Sequence, residues 1–185
     1  MEELLALTAV EAAPQLLGAK LVFDSPKGRV SGRIVEVEAY DQTDPASHSF
    51  KPKTARTAAL FGPPGTIYIY FIYGVHYCLN VVTGRMGKGD ALLIRALEPL
   101  EGIELMKQRR GTQDSKKLCN GPAKLVQALG IPATLNGGNY FSGPLRLEMG
   151  ERVPAANIAA APRIGISKAT DKPWRFYITD SPFVS

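Results

Sequence analysis

Two carboxylates separated by one residue lie near the end of the segment Arg29 to Tyr40, RVSGRIVEVEAY. Glu36, Glu38 and Tyr40 share one face of an extended chain, because successive side chains of a strand point to opposite faces. His48 follows shortly afterwards, and Glu and His are common general acids and bases. The pattern indicates either the wall of an acid–base site or a solvated strand whose carboxylates pair with surface lysines.

Aromatic side chains dominate the next apolar run, IYIYFIY. Tyr68 and Tyr70 share one face of this strand-like run, and aromatic faces stack on nucleobases because every base has a π-face. Packing of the two rings into the core, with their hydroxyl groups hydrogen-bonded, is the alternative. Tyr73 precedes Gly74 at the expected tip of a hairpin, where a bulky ring is hard to bury. Such a ring either forms a wedge between base steps or folds back on its own hairpin.

Two polar side chains, Asn80 and Arg95, lie within apolar strand-like runs, VHYCLNVV and ALLIRAL. A buried polar group is costly unless it is hydrogen-bonded, and a guanidinium in such a run needs a carboxylate partner. Glu36 or Glu38 can supply that carboxylate from across the sheet. The pattern fits a functional site, and it fits a purely structural ion pair as well.

The strand that carries Glu38 is apolar on its other face, where Val35, Val37 and Ala39 alternate with the polar residues. A stretch rich in Asp, Thr, Ser, Pro, Lys and Gly follows at residues 41 to 66. This stretch predicts a long loop with room for a short helix. A loop of that length within a compact domain is more often functional than not.

Thr8 and Glu11 form a capping-box pattern, which predicts a helix to about Leu17 with Gly18 as its left-handed stop. Further elements follow from periodicity and from Gly and Pro punctuation. The predicted strands are Ala19 to Asp24, a hairpin of Ile67 to Tyr73 and Val75 to Val82, Ala91 to Leu97, and the short strands Leu145 to Met149, Ile164 to Ile166 and Trp174 to Ile178. The predicted helices are Glu98 to Arg110, with Pro99 in its first turn, and about Pro122 to Leu129, capped by Asn120 and ended by Gly130. Residues Lys107 to Lys117 form a polar, mostly basic loop.

These elements predict an α+β fold, with a mostly antiparallel β-sheet core flanked by helices and a protruding β-hairpin. The 185 residues suit a single domain, 1–185, with a sizeable core. Hydrophobic residues make up 45% and charged residues 21% of the chain, which excludes a disordered or fibrous protein.

The net charge of +5 fits a polyanionic partner such as nucleic acid, and also an ordinary soluble protein with a modest positive excess. The basic loop is a solvated face or a phosphate contact.

The chain has two cysteines, Cys78 and Cys119, and no CxxC or His/Cys spacing typical of zinc sites. We therefore expect neither a metal site nor a disulfide framework. The N-terminus is acidic where a signal peptide is basic, and no apolar run approaches the roughly 20 residues that span a bilayer. The expected location is the cytoplasm, at the nucleoid if the source is bacterial, with no membrane contact.

Several segments together resemble the alkyladenine (3-methyladenine) DNA glycosylase family: EVEAY with His48-Ser49, GTIYIYFIYGVHYCLN, LLIRALEPLEG and NGPAKL. The resemblance extends from the N-terminal helix to RFYITDSP, and so covers nearly the whole chain. The combination is highly specific, whereas no single segment is. It implies a compact mixed α/β fold, without metal or cofactor, that acts as a monomer on double-stranded DNA containing damaged purines.

In the family that the chain resembles, the last acid of the ExEAY motif is the general base for the attacking water. That acid corresponds to Glu38, and the matching Arg95 helps to hold the water. The intercalating tyrosine corresponds to Tyr73, and Asn80 matches the residue that discriminates against the amino group of normal guanine. The resemblance also implies a base pocket and backbone contacts. The pocket residues are Tyr40, His48 and Tyr70 with Tyr68 close by, and the backbone contacts are Thr54, Arg56 and Gly74.

The expected function is therefore monofunctional excision in base excision repair. The enzyme flips an alkylated or deaminated purine from the duplex and leaves an abasic site. The lesion range stays open between 3-methyladenine alone and a broad set with 7-methylguanine, hypoxanthine and ethenoadenine. Departures from the family pattern bear on this range. Ala55 and Thr57 replace a common Pro and Asn, and Val75 replaces a common Met.

Two other functions fit the same residues. A non-catalytic nucleic-acid-binding module could use the same basic, aromatic surface, but it gains nothing from a carboxylate that faces phosphates. A small-molecule hydrolase could use a Glu–His pair, and a basic surface around the pocket counts against it.

Overall fold

An antiparallel β-sheet of eight strands forms the centre of the computed structural model, which describes all residues from Met1 to Ser185. The strand order is β3-β4-β5-β2-β1-β6, and β8 pairs with both β2 and β7. The strands are β1 Lys20–Ser25, β2 Gly28–Tyr40, β3 Ile67–Ile72, β4 His76–Thr83, β5 Asp90–Glu101, β6 Leu145–Glu148, β7 Ile158–Ala161 and β8 Arg175–Ile178. The architecture confirms the predicted α+β fold with a mostly antiparallel sheet.

Helices cover one face of this sheet and enclose a core of 33 buried residues. Short 3₁₀ turns lie in the connecting segments, among them Ala58–Phe61 in the long loop after β2. The helices are α1 Glu2–Leu5, α2 Ala9–Leu16, α3 Ile103–Arg110 and α4 Pro122–Leu129. Sheet and helices share this one core, so the chain forms a single compact domain.

The start of α2 has the predicted capping box. The Thr8 hydroxyl accepts from the Glu11 N–H at 3.4 Å, and the Thr8 N–H donates to the Glu11 carboxylate at 3.1 Å. Gly18 follows the helix with a φ of +88°, a conformation that glycine adopts without steric cost. The cap satisfies backbone donors that a helix start leaves free, which stabilises it by about 1 kcal/mol.

Strand β2 is central, and this position decides the environment of its two carboxylates. Its second half pairs with β5 on one side and with β8 on the other, where Glu36 and Glu38 lie opposite Tyr177 and Arg175. Both glutamates are fully buried, because the Ile164 N–H of the segment between β7 and β8 contacts Glu38, and Arg175 and the Ser185 N–H contact Glu36. The interpretation of this segment as a solvated strand is wrong, because its polar face lies under these segments and not in solvent.

Strand β3 separates its side chains cleanly between the two faces of the sheet. Ile67 and Ile69 enter the helix-covered core, whereas Tyr68 belongs to a small separate cluster against which Tyr70 packs. This second face is covered by the loop after β2 and by the segment between β7 and β8. Loops cover a sheet less completely than helices do, and this face holds a cavity.

The predicted helix Glu98 to Arg110 is wrong in its first third. Strand β5 continues to Glu101, and α3 begins only at Ile103 after Gly102, whose φ is +71°. Pro99 is tolerated in the strand because β4 pairs only with the first residues of β5. That end of β5 therefore needs no N–H donor on one of its sides.

Two smaller sequence predictions also need correction. Asn120 does not cap α4, since Gly121 is the N-cap residue and Asn120 instead forms a bridge to Ala96 of β5. Ile164 to Ile166 is not a strand, because Gly165 has a φ of +74° and the backbone there turns over the cavity. The short strand of this region is β7, which sequence alternation missed because its residues are mostly alanine.

The basic stretch from Lys107 onward is largely structural. Its first residues belong to α3, where Arg109 donates to the Ala128 and Leu129 carbonyls at the end of α4. Lys107 pairs with Glu104 at 2.8 Å. Basic side chains at these positions stabilise helix ends, because the last carbonyls of a helix lack partners.

Cys78 and Cys119 are both buried and unpaired. None of the helices is long and apolar enough to cross a membrane.

Candidate active site

A cavity of about 530 Å³ opens on the loop-covered face of the sheet. This volume falls within the range of about 300–1,000 Å³ that is typical of small-molecule pockets. Side chains of β3, β4 and β5 form its floor, and the loops after β2 and β7 contribute to its walls. Seven of the predicted site residues line it: Tyr40, His48, Tyr68, Tyr70, Tyr73, Asn80 and Arg95.

Arg95 joins the two buried carboxylates below the cavity. Its Nε lies 3.2 Å from Glu36 Oε1, and its Nη1 lies 3.1 Å from Glu38 Oε1. Glu36 is further bound by Arg175 at 3.0 Å and by the Ser185 N–H at 2.7 Å. Either glutamate could pair with Arg95 on the sequence alone, and the structure shows that both do.

Two successive irregularities in the pairing of β2 with β5 aim Arg95 at these carboxylates. Along β2, Val35 has no partner on β5, because Ile34 lies opposite Leu97 and Glu36 lies opposite Ala96. Along β5, Arg95 itself has no partner, because Val37 lies opposite Ile94. Bulges of this kind redirect side chains next to functional sites.

Glu38 itself is fully buried and does not line the cavity, although three groups bound to it do. Its Oε1 accepts from Arg95 and from the Ile164 N–H at 2.8 Å, and its Oε2 accepts from the Tyr40 hydroxyl at 2.8 Å. A carboxylate has about four lone-pair positions, so one position on Oε2 remains for a further donor. The carboxylate is thus held in a fixed orientation, one layer behind the cavity surface.

Three rings form an aromatic cluster in the cavity. His48 Nδ1 lies 3.0 Å from the Tyr68 hydroxyl, and the His48 ring meets the Tyr70 ring edge-on with centroids 4.5 Å apart. The Tyr68 and Tyr70 rings are tilted by 31° at 5.6 Å. The cluster gives the cavity a π-rich wall, which suits a flat heterocycle.

The polar ends of this cluster are neutral. Burial raises the pKa of Tyr68 to about 12, and burial together with Cys78 raises the pKa of Tyr70. Burial, and then the Glu38 charge, raise the pKa of Tyr40, so its hydroxyl stays a donor to that carboxylate. Burial and the nearby Arg56 guanidinium lower the pKa of His48, so its imidazole is neutral at pH 7.

The lowered pKa of His48 predicts a pH dependence of stability. Unfolded His48 takes up a proton near its ordinary pKa of about 6.5, before the folded protein does. The stability contributed by the neutral, partly buried ring is therefore fully present above about pH 6.5 and is lost as the pH falls below it. Between about pH 8 and pH 5, the Tm of the wild type should fall more steeply with decreasing pH than the Tm of His48→Gln. Parallel curves for the two proteins would contradict this expectation.

Asn80 is buried and belongs to the lining of the cavity. Its Nδ2 donates to the Tyr68 carbonyl at 3.1 Å, and its own backbone carbonyl accepts from the Tyr140 hydroxyl at 3.2 Å. Tyr140 was not predicted from the sequence, since a single tyrosine in a Gly- and Asn-rich stretch carries no pattern. These two contacts fix the Asn80 side chain and backbone against the floor of the cavity.

Tyr73 stands at the tip of the β3–β4 hairpin and is 80% exposed. Its φ is +54°, and that of Gly74 is +71°. A non-glycine residue in this conformation costs about 1–2 kcal/mol, and such strain is concentrated at functional positions. The ring is not folded back, so the wedge interpretation fits this geometry better than the alternative.

The predicted backbone contacts lie outside the cavity, on the surface beside the hairpin. Thr54, Arg56 and Gly74 are all exposed. Arg56 donates to the Phe71 carbonyl of β3 at 3.2 Å, and the Thr54 hydroxyl lies 3.1 Å from the Thr57 hydroxyl. Arg56 therefore places a cation beside β3, the strand that leads to Tyr73.

The segment between β7 and β8 is the part of the site that sequence reasoning missed. Residues 164 to 168 line the cavity. Arg163, just before them, forms a buried ion pair with Asp44 at 2.5 Å and lies 4.6 Å above the Tyr40 ring. Its sequence context, APRIGISKA, carries a Pro and a Gly but no periodicity that marks it as part of a site.

The site combines a buried, oriented carboxylate, an aromatic cavity and an exposed wedge-shaped ring. No group of three or more His, Cys, Asp or Glu side chains is arranged to hold a metal ion. The carboxylate can accept a proton from a water, and the cavity can hold a purine-sized ring.

Comparison with known proteins gives consistent matches along the whole chain. The family model described as "Methylpurine-DNA glycosylase (MPG)" matches residues 3–182. A protein of Rhodopseudomonas palustris (strain BisB18) is 50% identical over 175 residues, which cover 95% of this chain and 84% of that protein. A protein of Methanoculleus marisnigri is 49% identical over 179 residues, which cover 95% of this chain and 93% of that protein. A protein of Francisella tularensis (strain FSC 198) is 46% identical over 188 residues, which cover 100% of this chain and 97% of that protein. All three carry the name "Putative 3-methyladenine DNA glycosylase".

Proposed function

The chain belongs to the methylpurine-DNA glycosylase family, and from that premise we propose that it releases damaged purines from duplex DNA through a water activated by Glu38. Members of this family are hydrolases that act on N-glycosidic bonds. The observation that carries the finer proposal is the Glu38 carboxylate, held by three donors directly behind an aromatic cavity large enough for a purine.

Access to the bond requires extrusion of the nucleotide, because the C1′ atom of a stacked purine nucleotide is shielded within the duplex. Tyr73 fills the space that the extruded base leaves and so offsets part of the lost stacking. Arg56 and Thr54 contact phosphates beside it. The extruded base enters the cavity against Tyr70, His48 and Tyr40.

Selectivity arises in the cavity. A purine alkylated at N3 or N7 is cationic, and the faces of the aromatic cluster attract cations. Asn80, fixed against the floor, disfavours the exocyclic amino group of normal guanine, because a donor facing a donor is left unpaired. The range of lesions that the protein releases thus depends on the charge of the base and on the base edge that faces Asn80. This range includes 3-methyladenine and 7-methylguanine.

Hydrolysis then follows from Glu38. A water bound at the remaining position of Oε2 gives a proton to the carboxylate as its oxygen bonds to C1′. The bond from C1′ to the base nitrogen breaks, and its electron pair leaves with the base. A cationic base leaves as a neutral molecule, whereas hypoxanthine needs a proton or a hydrogen bond on the leaving ring. Arg95 holds the Glu38 carboxylate in place, and the product strand carries an abasic site.

The alternatives fit the geometry less well. A binding module gains nothing from burying two carboxylates under its aromatic surface, since burial of a charge is costly. A small-molecule hydrolase has no use for a strained, exposed tyrosine at a hairpin tip. His48 is held by Tyr68 and does not contact Glu38, which removes the Glu–His pair on which that alternative depended.

The dependence on duplex DNA can be tested with one lesion in two forms. We expect release of 7-methylguanine from a duplex oligonucleotide and no measurable release from free 7-methylguanosine, because Tyr73 and the phosphate contacts act only on a strand. Released base is measured by chromatography. Equal turnover of the free nucleoside would support the small-molecule hydrolase, and tight duplex binding without release would support the binding module.

A further inference from the structure

The Arg163–Asp44 ion pair is buried, and neither of its side chains lines the cavity. Both side chains are 0% exposed, and they lie 2.5 Å apart. Arg163 also donates to the Ala39 carbonyl at 2.9 Å and to the Ala169 carbonyl at 3.4 Å. A buried ion pair is weak evidence for a contribution to stability, because desolvation offsets much of the attraction. Its position suggests another role.

Each partner of this pair holds one wall of the cavity. Asp44 belongs to the loop after β2, where its Oδ1 accepts from the Ala46 N–H at 2.9 Å and its carbonyl accepts from the Ser47 N–H at 2.8 Å. Those residues lead directly to His48. Arg163 belongs to the segment between β7 and β8 and precedes Ile164, whose N–H donates to Glu38.

The guanidinium is also clamped between two rings. It lies 4.6 Å from the centroid of Tyr40 and 5.3 Å from that of Trp174. Tyr40 in turn donates to Glu38. Two of the three donors on the Glu38 carboxylate therefore depend on Arg163, one through the chain and one through ring stacking.

We propose that Arg163 and Asp44 form a positioning pair that locks the two cavity loops together and holds the Ile164 N–H and the Tyr40 hydroxyl on Glu38. This inference rests on the proposed function, since it assigns the pair a purpose in preparing Glu38. Neither residue contacts the reacting atoms.

The variants separate positioning from charge. Arg163→Met removes a positive charge, whereas Asp44→Asn removes a negative one, and Arg163→Lys keeps the charge but loses the planar stacking. Leu21→Ala is the matched control for lost stability, because Leu21 is fully buried on β1, a strand that contributes nothing to the cavity. Each protein is assayed at a temperature at which its thermal unfolding curve shows it to be folded.

We measure single-turnover release of 7-methylguanine at saturating enzyme, binding of undamaged duplex, and the pH dependence of the rate. For Arg163→Met we expect a loss of about 10- to 100-fold in rate, because misplacement by about 1 Å costs that much, with undamaged-duplex binding nearly unchanged. Arg163→Lys should recover part of the rate, and Leu21→Ala should keep the wild-type rate.

The dependence of the single-turnover rate on pH gives the sharper readout. Its acid limb is the low-pH side of the profile, where protonation of Glu38 lowers the rate. A carboxylate that loses a hydrogen-bond donor is protonated more easily, so the acid limb moves to higher pH in Arg163→Met and, to a smaller extent, in Asp44→Asn. A field effect alone would move the limb in opposite directions in these two variants. The other charged and titratable groups around Glu38 are unaltered: Arg95 from β5, Arg175 from β8, Cys78 from β4, and Glu36 and Tyr40 from its own strand.

The outcomes are distinct. Wild-type rates in the Arg163 and Asp44 variants, or opposite shifts of the acid limb, would overturn the positioning role. An equal loss of rate in Leu21→Ala would overturn it as well, since the effect would then be general destabilisation. Should Arg163→Met not fold, Asp44→Asn and Arg163→Lys decide by the same criteria. A wild type that releases no base would instead overturn the proposed function.

Discussion

Replacement of Glu38 by glutamine is expected to reduce base release by about 10²- to 10⁴-fold, the usual contribution of a positioned general base. Binding to lesion-containing duplex should stay close to that of wild type. The two side chains have nearly the same shape, and the amide oxygen of the substituted side chain can still accept hydrogen bonds from Arg95 and Ile164. What glutamine lacks is the ability to take the proton of the water. Single-turnover rates and dissociation constants on one 7-methylguanine duplex measure both effects.

Glu36→Gln is the matched control for this prediction. Glu36 lies on the same face of β2, is equally buried and is bound by the same Arg95. It has no contact with the cavity, because Arg175 and the Ser185 N–H occupy its other positions. We expect a much smaller loss of rate from this change. Near-normal release by Glu38→Gln, or equal losses in the two variants, would remove Glu38 from the assigned role.

The second large effect is expected at the hairpin tip, where Tyr73→Ser should weaken extrusion of the nucleotide. Stacking of a base on an aromatic side chain is worth about 1–3 kcal/mol, so its loss should lower the extruded population by about 5- to 150-fold. The effect should appear in the equilibrium of extrusion and not in the chemical step. Fluorescence of 2-aminopurine placed next to the lesion reports this equilibrium directly.

The hairpin supplies its own controls. Tyr77→Ser removes a partly exposed tyrosine from the opposite face of the same hairpin, where its ring packs 4.9 Å from Phe71. This variant should leave the fluorescence change intact. Tyr73→Phe should also keep it, because the wedge needs the ring and not the hydroxyl. An unchanged 2-aminopurine signal in Tyr73→Ser would rule out the wedge.

The sequence predicted those parts of the fold that depend on local patterns. The capping box at Thr8, the alternation in β3 and the turn at Gly74 each depend on a few neighbouring residues, and the structure confirms them. Helix Glu98 to Arg110 was placed wrongly because Pro99 suits the first turn of a helix and the end of an edge strand equally well. Only the limited length of the β4–β5 pairing decides between the two.

The remaining parts of the site could not be predicted, because they depend on contacts between distant segments. The bulge that aims Arg95 arises from a register between two strands that are about 60 residues apart in the chain. The Arg163–Asp44 pair joins two irregular loops, and irregular loops have no periodicity to read. The sequence thus suggested that Arg95 needs a carboxylate, but not that both glutamates share it.

The most direct test of the central claim is a base-release assay with the wild-type protein on four duplexes that differ at one position. Three carry 7-methylguanine, hypoxanthine or ethenoadenine, and the fourth carries normal guanine. We predict release of 7-methylguanine as free base, no release of guanine, and a strand that stays intact until alkali cleaves it at the abasic site. The two neutral lesions then define the range. If the protein binds these duplexes tightly but releases no base from any of them, it is not a glycosylase for these lesions and the role proposed for Glu38 is wrong.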